Sequence, residues 1–136
     1  MLKKIISMML CLVVIMSICS ISVSASDLIS INYAYTRSCN SDIVVSNTTI
    51  TAKSTVMGYS GKTTKIVIKQ TLQKKSSSGT WTTVGTSSNT VNSHINVYSK
   101  KYTSLSSGKY RLKSVFTVYA GNNSETITKY SSEKTV

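Results

Sequence analysis

None of the 136 residues is proline, four are acidic and one is histidine. Without proline, no proline-rich linker divides the chain. Four carboxylates and one imidazole leave little material for acid–base catalysis. Aromatic residues make up 7% of the chain and most are expected to face inward, so a base-stacking platform is poorly supplied and no specific nucleic-acid partner is expected. Of three cysteines, Cys11 and Cys19 fall in an apolar leader, which leaves Cys39 alone in the remaining chain. One thiol excludes a disulfide framework within the molecule. Cys39 lies in the polar run Thr36-Arg37-Ser38-Cys39-Asn40-Ser41 and is expected near the surface, where the one disulfide open to it is a Cys39-linked dimer.

The single long apolar run belongs to the leader. Lys3-Lys4 form a basic start, Ile5 through Ile18 are almost wholly apolar, and Val23-Ser24-Ala25 places short residues where a signal peptidase reads. Residues 1–25 are therefore expected to be a signal peptide cleaved after Ala25. A transmembrane anchor is the rival reading, but Ser17, Ser20, Ser22 and Ser24 dilute the second half and no basic stop-transfer cluster follows. After cleavage no transmembrane segment is expected, and residues 26–136 are one domain's length. The isoleucine-, lysine- and serine-rich style resembles that of low-GC Gram-positive bacteria, which implies a secreted or cell-wall destination.

What remains is rich in serine and threonine, about a third of residues 26–136, and alternates with period two. No stretch of helical length has an apolar stripe. Leu28–Thr36 places Ile29, Ile31, Tyr33 and Tyr35 on one face, and Ile43-Val44-Val45 reads as a short edge strand. Thr48–Met57 turns Ile50, Ala52, Ser54 and Val56 one way. Thr64–Lys74 turns Ile66, Ile68, Gln70 and Leu72 one way and Lys65, Val67, Lys69, Thr71 and Gln73 the other. Lys75–Gly79 reads as a hairpin loop, after which Trp81 and Val84 are the apolar residues of the returning strand. Thr90–Tyr98 is expected to share one apolar face through Val91, Ile95 and Val97. Lys109–Tyr119 alternates Tyr110, Leu112, Ser114, Phe116 and Val118 against Arg111, Lys113, Val115 and Thr117, and Ala120–Asn123 is a turn into a last strand ending at Tyr130, which the tail extends. β-Branched residues fill these runs because they suit a pleated, half-buried surface.

About seven short strands with a turn every ten residues or so predict an all-β fold, an antiparallel sandwich of the immunoglobulin-like kind, with a small closed barrel as the alternative. The expected core is Ile29, Ile31, Ile50, Val56, Ile66, Ile68, Leu72, Trp81, Val84, Val91, Ile95, Val97, Leu105, Tyr110, Leu112 and Phe116.

Leu105-x-x-Gly108-x-Tyr110 resembles the tyrosine corner of immunoglobulin-like and fibronectin type III-like domains, in which the tyrosine hydroxyl bonds back to backbone near the preceding turn. A wider pattern comprises Leu72-Gln73-Lys74-Lys75, Gly79-Thr80-Trp81, Gly108-Lys109-Tyr110-Arg111, Glu125 and Tyr130-Ser131-Ser132. It is similar to a group of small secreted proteins of clostridia-type Gram-positive bacteria. That resemblance implies a fold and a compartment but no activity. The chain departs from true immunoglobulin domains in having no cysteine pair between sheets, and Trp81 falls on the strand after the hairpin.

Candidate chemistry is sparse. A hydrolase would have to draw on Asp42, Glu125 and His94, which no spacing brings together, and a Cys39–His94 dyad needs the two close in space with an orienting third group, which the presence of one cysteine and one histidine does not indicate. No metal or other cofactor is expected, since structural zinc wants four nitrogen or sulfur ligands and no acidic calcium loop is present. Gly58-x-x-Gly61-Lys62-Thr63 has neither the glycine spacing nor the helix of a phosphate loop.

Charge is the feature that stands out. The net charge is +12, and +10 once Lys3 and Lys4 leave with the leader. Lys65 and Lys69 share one outward face, Arg111 and Lys113 another, and in an immunoglobulin-like order those strands are neighbours. Such a field recruits polyanions in a salt-dependent way. The expected function is a secreted, non-catalytic binding module that contacts an anionic polymer or surface, such as cell-wall teichoic acid or a host glycan, through Lys65, Lys69, Arg111 and Lys113. The alternatives are an exported cationic, bacteriocin-like effector and a weak hydrolase.

Overall fold

A computed structural model describes residues 32–136. The leader, Asp27, Ile29 and Ile31 lie outside the described residues. Seven strands run β1 (Thr36–Ser46), β2 (Thr49–Gly58), β3 (Lys65–Lys75), β4 (Trp81–Val91), β5 (Ile95–Tyr102), β6 (Lys109–Ala120) and β7 (Asn123–Tyr130), followed by a two-residue β8 (Lys134–Thr135). They form two antiparallel sheets, one ordered β1-β2-β5 and the other β4-β3-β6-β7 with β8 also on β6. The result is a β-sandwich, not the closed barrel.

The inward faces are those set by the period-two pattern. Ile50, Ala52, Ser54 and Val56 of β2 meet Ile66, Ile68, Gln70 and Leu72 of β3 and Tyr110, Leu112, Ser114, Phe116 and Val118 of β6, all buried. Two apolar clusters result. One gathers Ile43, Ile50, Ala52, Leu72, Tyr110 and Leu112; the other gathers Val56, Ile66, Ile68, Phe116, Val118 and Ile127. Polar side chains sit inward beside them. Ser114 Oγ lies 2.7 Å from Ser41 Oγ and 2.6 Å from Ser54 Oγ, tying β6 to β1 and β2 in the other sheet. Gln70 Nε2 donates to Ser54 Oγ at 2.8 Å and to the Tyr98 carbonyl at 3.2 Å. Each of these four polar side chains thereby finds a partner, which offsets the cost of taking it out of water.

The turns follow from backbone freedom. Asn47, at φ 52°, opens the tight link between Ser46 and Thr49, and Gly121, at φ 60°, takes the first central position between Ala120 and Asn123. A left-handed residue there suits the twist of a two-residue hairpin. Gly85 has another reason: a Cβ on it would come within 2.7 Å of the Tyr102 ring. It adjoins a β-bulge, where Gln73 pairs Thr83 and Leu72 pairs Gly85, leaving Val84 as the extra residue. The Tyr110 hydroxyl donates to the Ser106 carbonyl at 2.6 Å, as the Leu105–Tyr110 pattern led one to expect.

Several expectations are corrected. The chain leaves one sheet for the other at Asn92–His94, so Val91 ends β4 while Ile95 and Val97 belong to β5. β5 pairs Asn96 with the inward Val56, which buries Asn96 and turns Ile95 and Val97 out, 42% and 58% exposed. A one-residue offset reverses every side chain of a strand. Val84 is 41% exposed because it sits in the bulge. Trp81 pairs Lys75 on the outer face and is only half-buried. Asn32–Tyr35 is not a strand, and the stretch from Thr36 is. The tail does not prolong β7 but turns at Ser131 and lays β8 against Lys109 and Tyr110 of β6.

Two substitutions separate packing from polar linkage. Leu112→Asn places an amide in an apolar cluster and is expected to cost about 3–5 kcal/mol. Ser114→Ala leaves Ser41 with only its long 3.4 Å bond to the Leu112 carbonyl and Ser54 with only Gln70, at about 1–3 kcal/mol. Urea unfolding measures both, and a Ser114→Ala midpoint equal to the native one would show that the inter-sheet hydroxyl bonds contribute nothing.

Candidate anion-binding face

The pairing of β3 with β6 brings the four basic residues onto one surface. Lys65 stands opposite Tyr119, Lys69 opposite Val115, Thr71 opposite Lys113 and Gln73 opposite Arg111. All occupy outward positions, because Ile66, Ile68, Gln70 and Leu72 and their β6 partners point into the core. Lys69 and Lys113 are diagonal neighbours, about 7–8 Å apart at the backbone. From the Lys65 row to the Arg111 row is eight residues along β6, about 26 Å at 3.3 Å per residue. The four charges form a stripe along the middle of the larger sheet.

Both ends of that stripe carry a cation packed on aromatic rings. Lys65 Nζ sits 4.0 Å from the Tyr119 ring centroid. The Arg111 guanidinium carbon lies 4.2 Å from the Trp81 ring centroid and 4.4 Å from that of Tyr130. Trp81 is on β4 and Tyr130 ends β7, on opposite sides of β6, so the guanidinium lies between two rings. Arg111 Nε donates to Gln73 Oε1 at 2.9 Å. Lys75 adds a further positive group, 5.3 Å from the Trp81 ring and 3.4 Å from Glu133 Oε1.

The acids are elsewhere, with that one exception. Asp42 lies on the outer face of the other sheet, opposite Lys53, and its Oδ1 accepts from the Ile43 N–H at 2.9 Å. Glu125 accepts the N–H groups of Ala34 and Tyr35 at 2.9 and 2.8 Å, fastening the chain ahead of β1. Among the described residues, only Glu133 offsets the stripe, from one end of it.

Trp81, Gln73 and Tyr130 complete the site, and the sequence reading did not name them as site residues. The signal that could have found Trp81 is the hairpin itself: a loop over residues 76–80 pairs Trp81 with Lys75, whose parity is that of Lys65 and Lys69. Treating a lone tryptophan as core obscured it.

The other chemistry-bearing side chains are dispersed. Asp42 and Glu125 lie in different sheets, and His94 sits in the crossing between β4 and β5, its carbonyl accepting from the Gly58 N–H at 2.7 Å. Among the described residues no three His, Cys, Asp or Glu side chains gather as metal ligands would, and no helix is long and apolar enough to cross a membrane. Cys39 is not the surface thiol its polar neighbours suggested. It lies half-buried in β1, packed against the cluster of Val56 and Phe116. Burial pushes its thiol above the usual range; nearby Lys129 opposes this and Glu125 adds to it.

Compared with known proteins, the chain matches no protein-family model and no curated protein.

A raised thiol pKa means less thiolate, the reactive form, at any given pH. Cys39 is expected to react with iodoacetamide at pH 8 more slowly than glutathione does, and to accelerate as pH rises beyond 9. A rate at pH 8 equal to glutathione's would show an accessible, unshifted thiol.

Proposed function

We propose that the chain is a secreted, non-catalytic binding module that contacts an anionic polymer or surface, such as cell-wall teichoic acid or a host glycan, through the outer face of β3 and β6. The observation that carries this reading is the stripe of Lys65, Lys69, Lys113 and Arg111, offset among the described residues only by Glu133 at one end. Structural lysines that merely keep a serine- and threonine-rich surface soluble would be interspersed with acids; here the acids are engaged elsewhere or confined to Glu133. A row of like charge as long as the strands is kept open at an energetic cost unless a partner neutralises it.

Within this reading, residues 1–25 act as the export signal and the folded part is immunoglobulin- or fibronectin type III-like. The bond from the Tyr110 hydroxyl to the Ser106 carbonyl supports the latter, matching the tyrosine corner of such domains, as does the pairing of β3 with β6 in one sheet. The absence of catalysis rests on the dispersal of Asp42, Glu125, His94 and the inward-facing Cys39.

The test is co-sedimentation with Gram-positive cell walls, intact or stripped of teichoic acids, across a salt series. Each cation near an anionic surface contributes about 1 kcal/mol, so the Lys65→Gln, Lys69→Gln, Lys113→Gln triple variant is expected to lose about 2–3 kcal/mol at low salt and to show a flatter salt dependence. Binding by the triple variant equal to that of the native protein would refute the stripe as the contact surface.

A further inference from the structure

Arg111 differs in kind from the lysines beside it. A guanidinium has five N–H donors in one plane. Here the Trp81 and Tyr130 rings lie 4.2 and 4.4 Å from its central carbon, contributed by strands on opposite sides of β6, and Gln73 Oε1 accepts a hydrogen bond from Nε–H. What is left is the edge formed by the two Nη atoms, which make no hydrogen bond among the described residues. That edge is the fork that grips a carboxylate or sulfate with two parallel bonds. Because rings and amide already hold the plane, little side-chain freedom remains to be lost on binding.

The rings also say what should carry the anion. Tyr130 is 49% exposed and Trp81 half-buried, so flat apolar surface borders the fork on both sides. An oxyanion attached to a pyranose ring brings its own apolar C–H face to such a surface. A polyol phosphate chain has no such face. We infer that the Trp81–Arg111–Tyr130 stack is an oxyanion subsite for an acidic polysaccharide, with the sugar ring against the exposed aromatic rims and the chain continuing along the stripe past Lys113 and Lys69. This rests on the anionic-polymer reading and narrows it from polyanions in general to charged glycans.

Trp81 is the one tryptophan in the protein, so intrinsic tryptophan fluorescence reports on this subsite alone. The purified protein is titrated with polygalacturonate, dextran sulfate, poly(glycerol phosphate) and uncharged dextran, and affinity is followed independently by calorimetry. Polygalacturonate or dextran sulfate is expected to shift Trp81 emission saturably, and uncharged dextran to do nothing. Arg111→Lys keeps the charge but removes the fork, and is expected to weaken glycan binding at least about tenfold. Tyr130→Ala, at an exposed position, is expected to weaken acidic-glycan binding by a larger factor than poly(glycerol phosphate) binding. Thermal melts establish that each variant is folded. The inference is overturned if poly(glycerol phosphate) matches the acidic glycans in affinity and in emission change, or if both variants bind glycan as the native protein does. Salt-dependent binding that never moves Trp81 emission would sink the subsite while leaving the stripe intact; no binding to any polyanion at low salt would sink both.

Discussion

The buried hydroxyl and amide ladder of Ser41, Ser114, Ser54 and Gln70 is the constraint on which the rest of the sandwich depends. Each of the four strands concerned interrupts its apolar alternation on the inward side, and the interruptions meet at one level between the two apolar clusters. Apolar contacts alone tolerate sliding, because one branched side chain packs against another nearly as well. A two-residue slip of β6 would put Leu112 or Phe116 against Ser54 and strand hydroxyls without partners, at about 1–3 kcal/mol for each. The ladder thus aligns β1 and β2 in one sheet with β3 and β6 in the other.

Alignment inside dictates arrangement outside. With Gln70 inward, Lys69 and Thr71 must face outward; with Ser114 inward, so must Lys113 and Val115. The same register sets Gln73 beside Arg111, within reach of its Nε, and puts Lys113 opposite Tyr130. The charged stripe is therefore held by the core more than by its own surface contacts, which fits with the one ion pair near it among the described residues being the half-exposed Lys75–Glu133.

Strand faces were legible wherever a long strand kept one register, as in β2, β3 and β6, because alternation with period two needs no knowledge of partners. Polar residues on an apolar face, Gln70 and Ser114 among them, were correctly placed inward by the same parity. The errors fall where parity breaks or a neighbour decides. Val84 occupies a bulge, and Val91 and Val97 lie on either side of a sheet crossing at Asn92–His94, so no single alternation covers them. Cys39 looked exposed because its sequence neighbours are polar, yet the first half of β1 pairs with β2 and turns that thiol toward Phe116. Four charged site residues could be placed from the sequence; the aromatic pair around Arg111 could not, since it joins β4, β6 and β7 through a strand order that periodicity does not encode.

Aromatic contact at both ends of the stripe divides its cations into two kinds. Lys69 and Lys113 make no side-chain hydrogen bond among the described residues and act through their fields, which salt screens within about 8–10 Å. Lys65 on Tyr119 and Arg111 between Trp81 and Tyr130 have fixed positions, and a charge on an aromatic face has given up part of its water already. Field and fixed geometry respond differently to the medium: the first sets how fast a polyanion arrives, the second how long it stays. A surface built only for solubility has no use for the second. In the proposed role, the lysines would gather anionic chains of any chemistry while the held guanidinium discriminates among them, and it is the aromatic pair, not the net charge, that separates this face from a generic basic one.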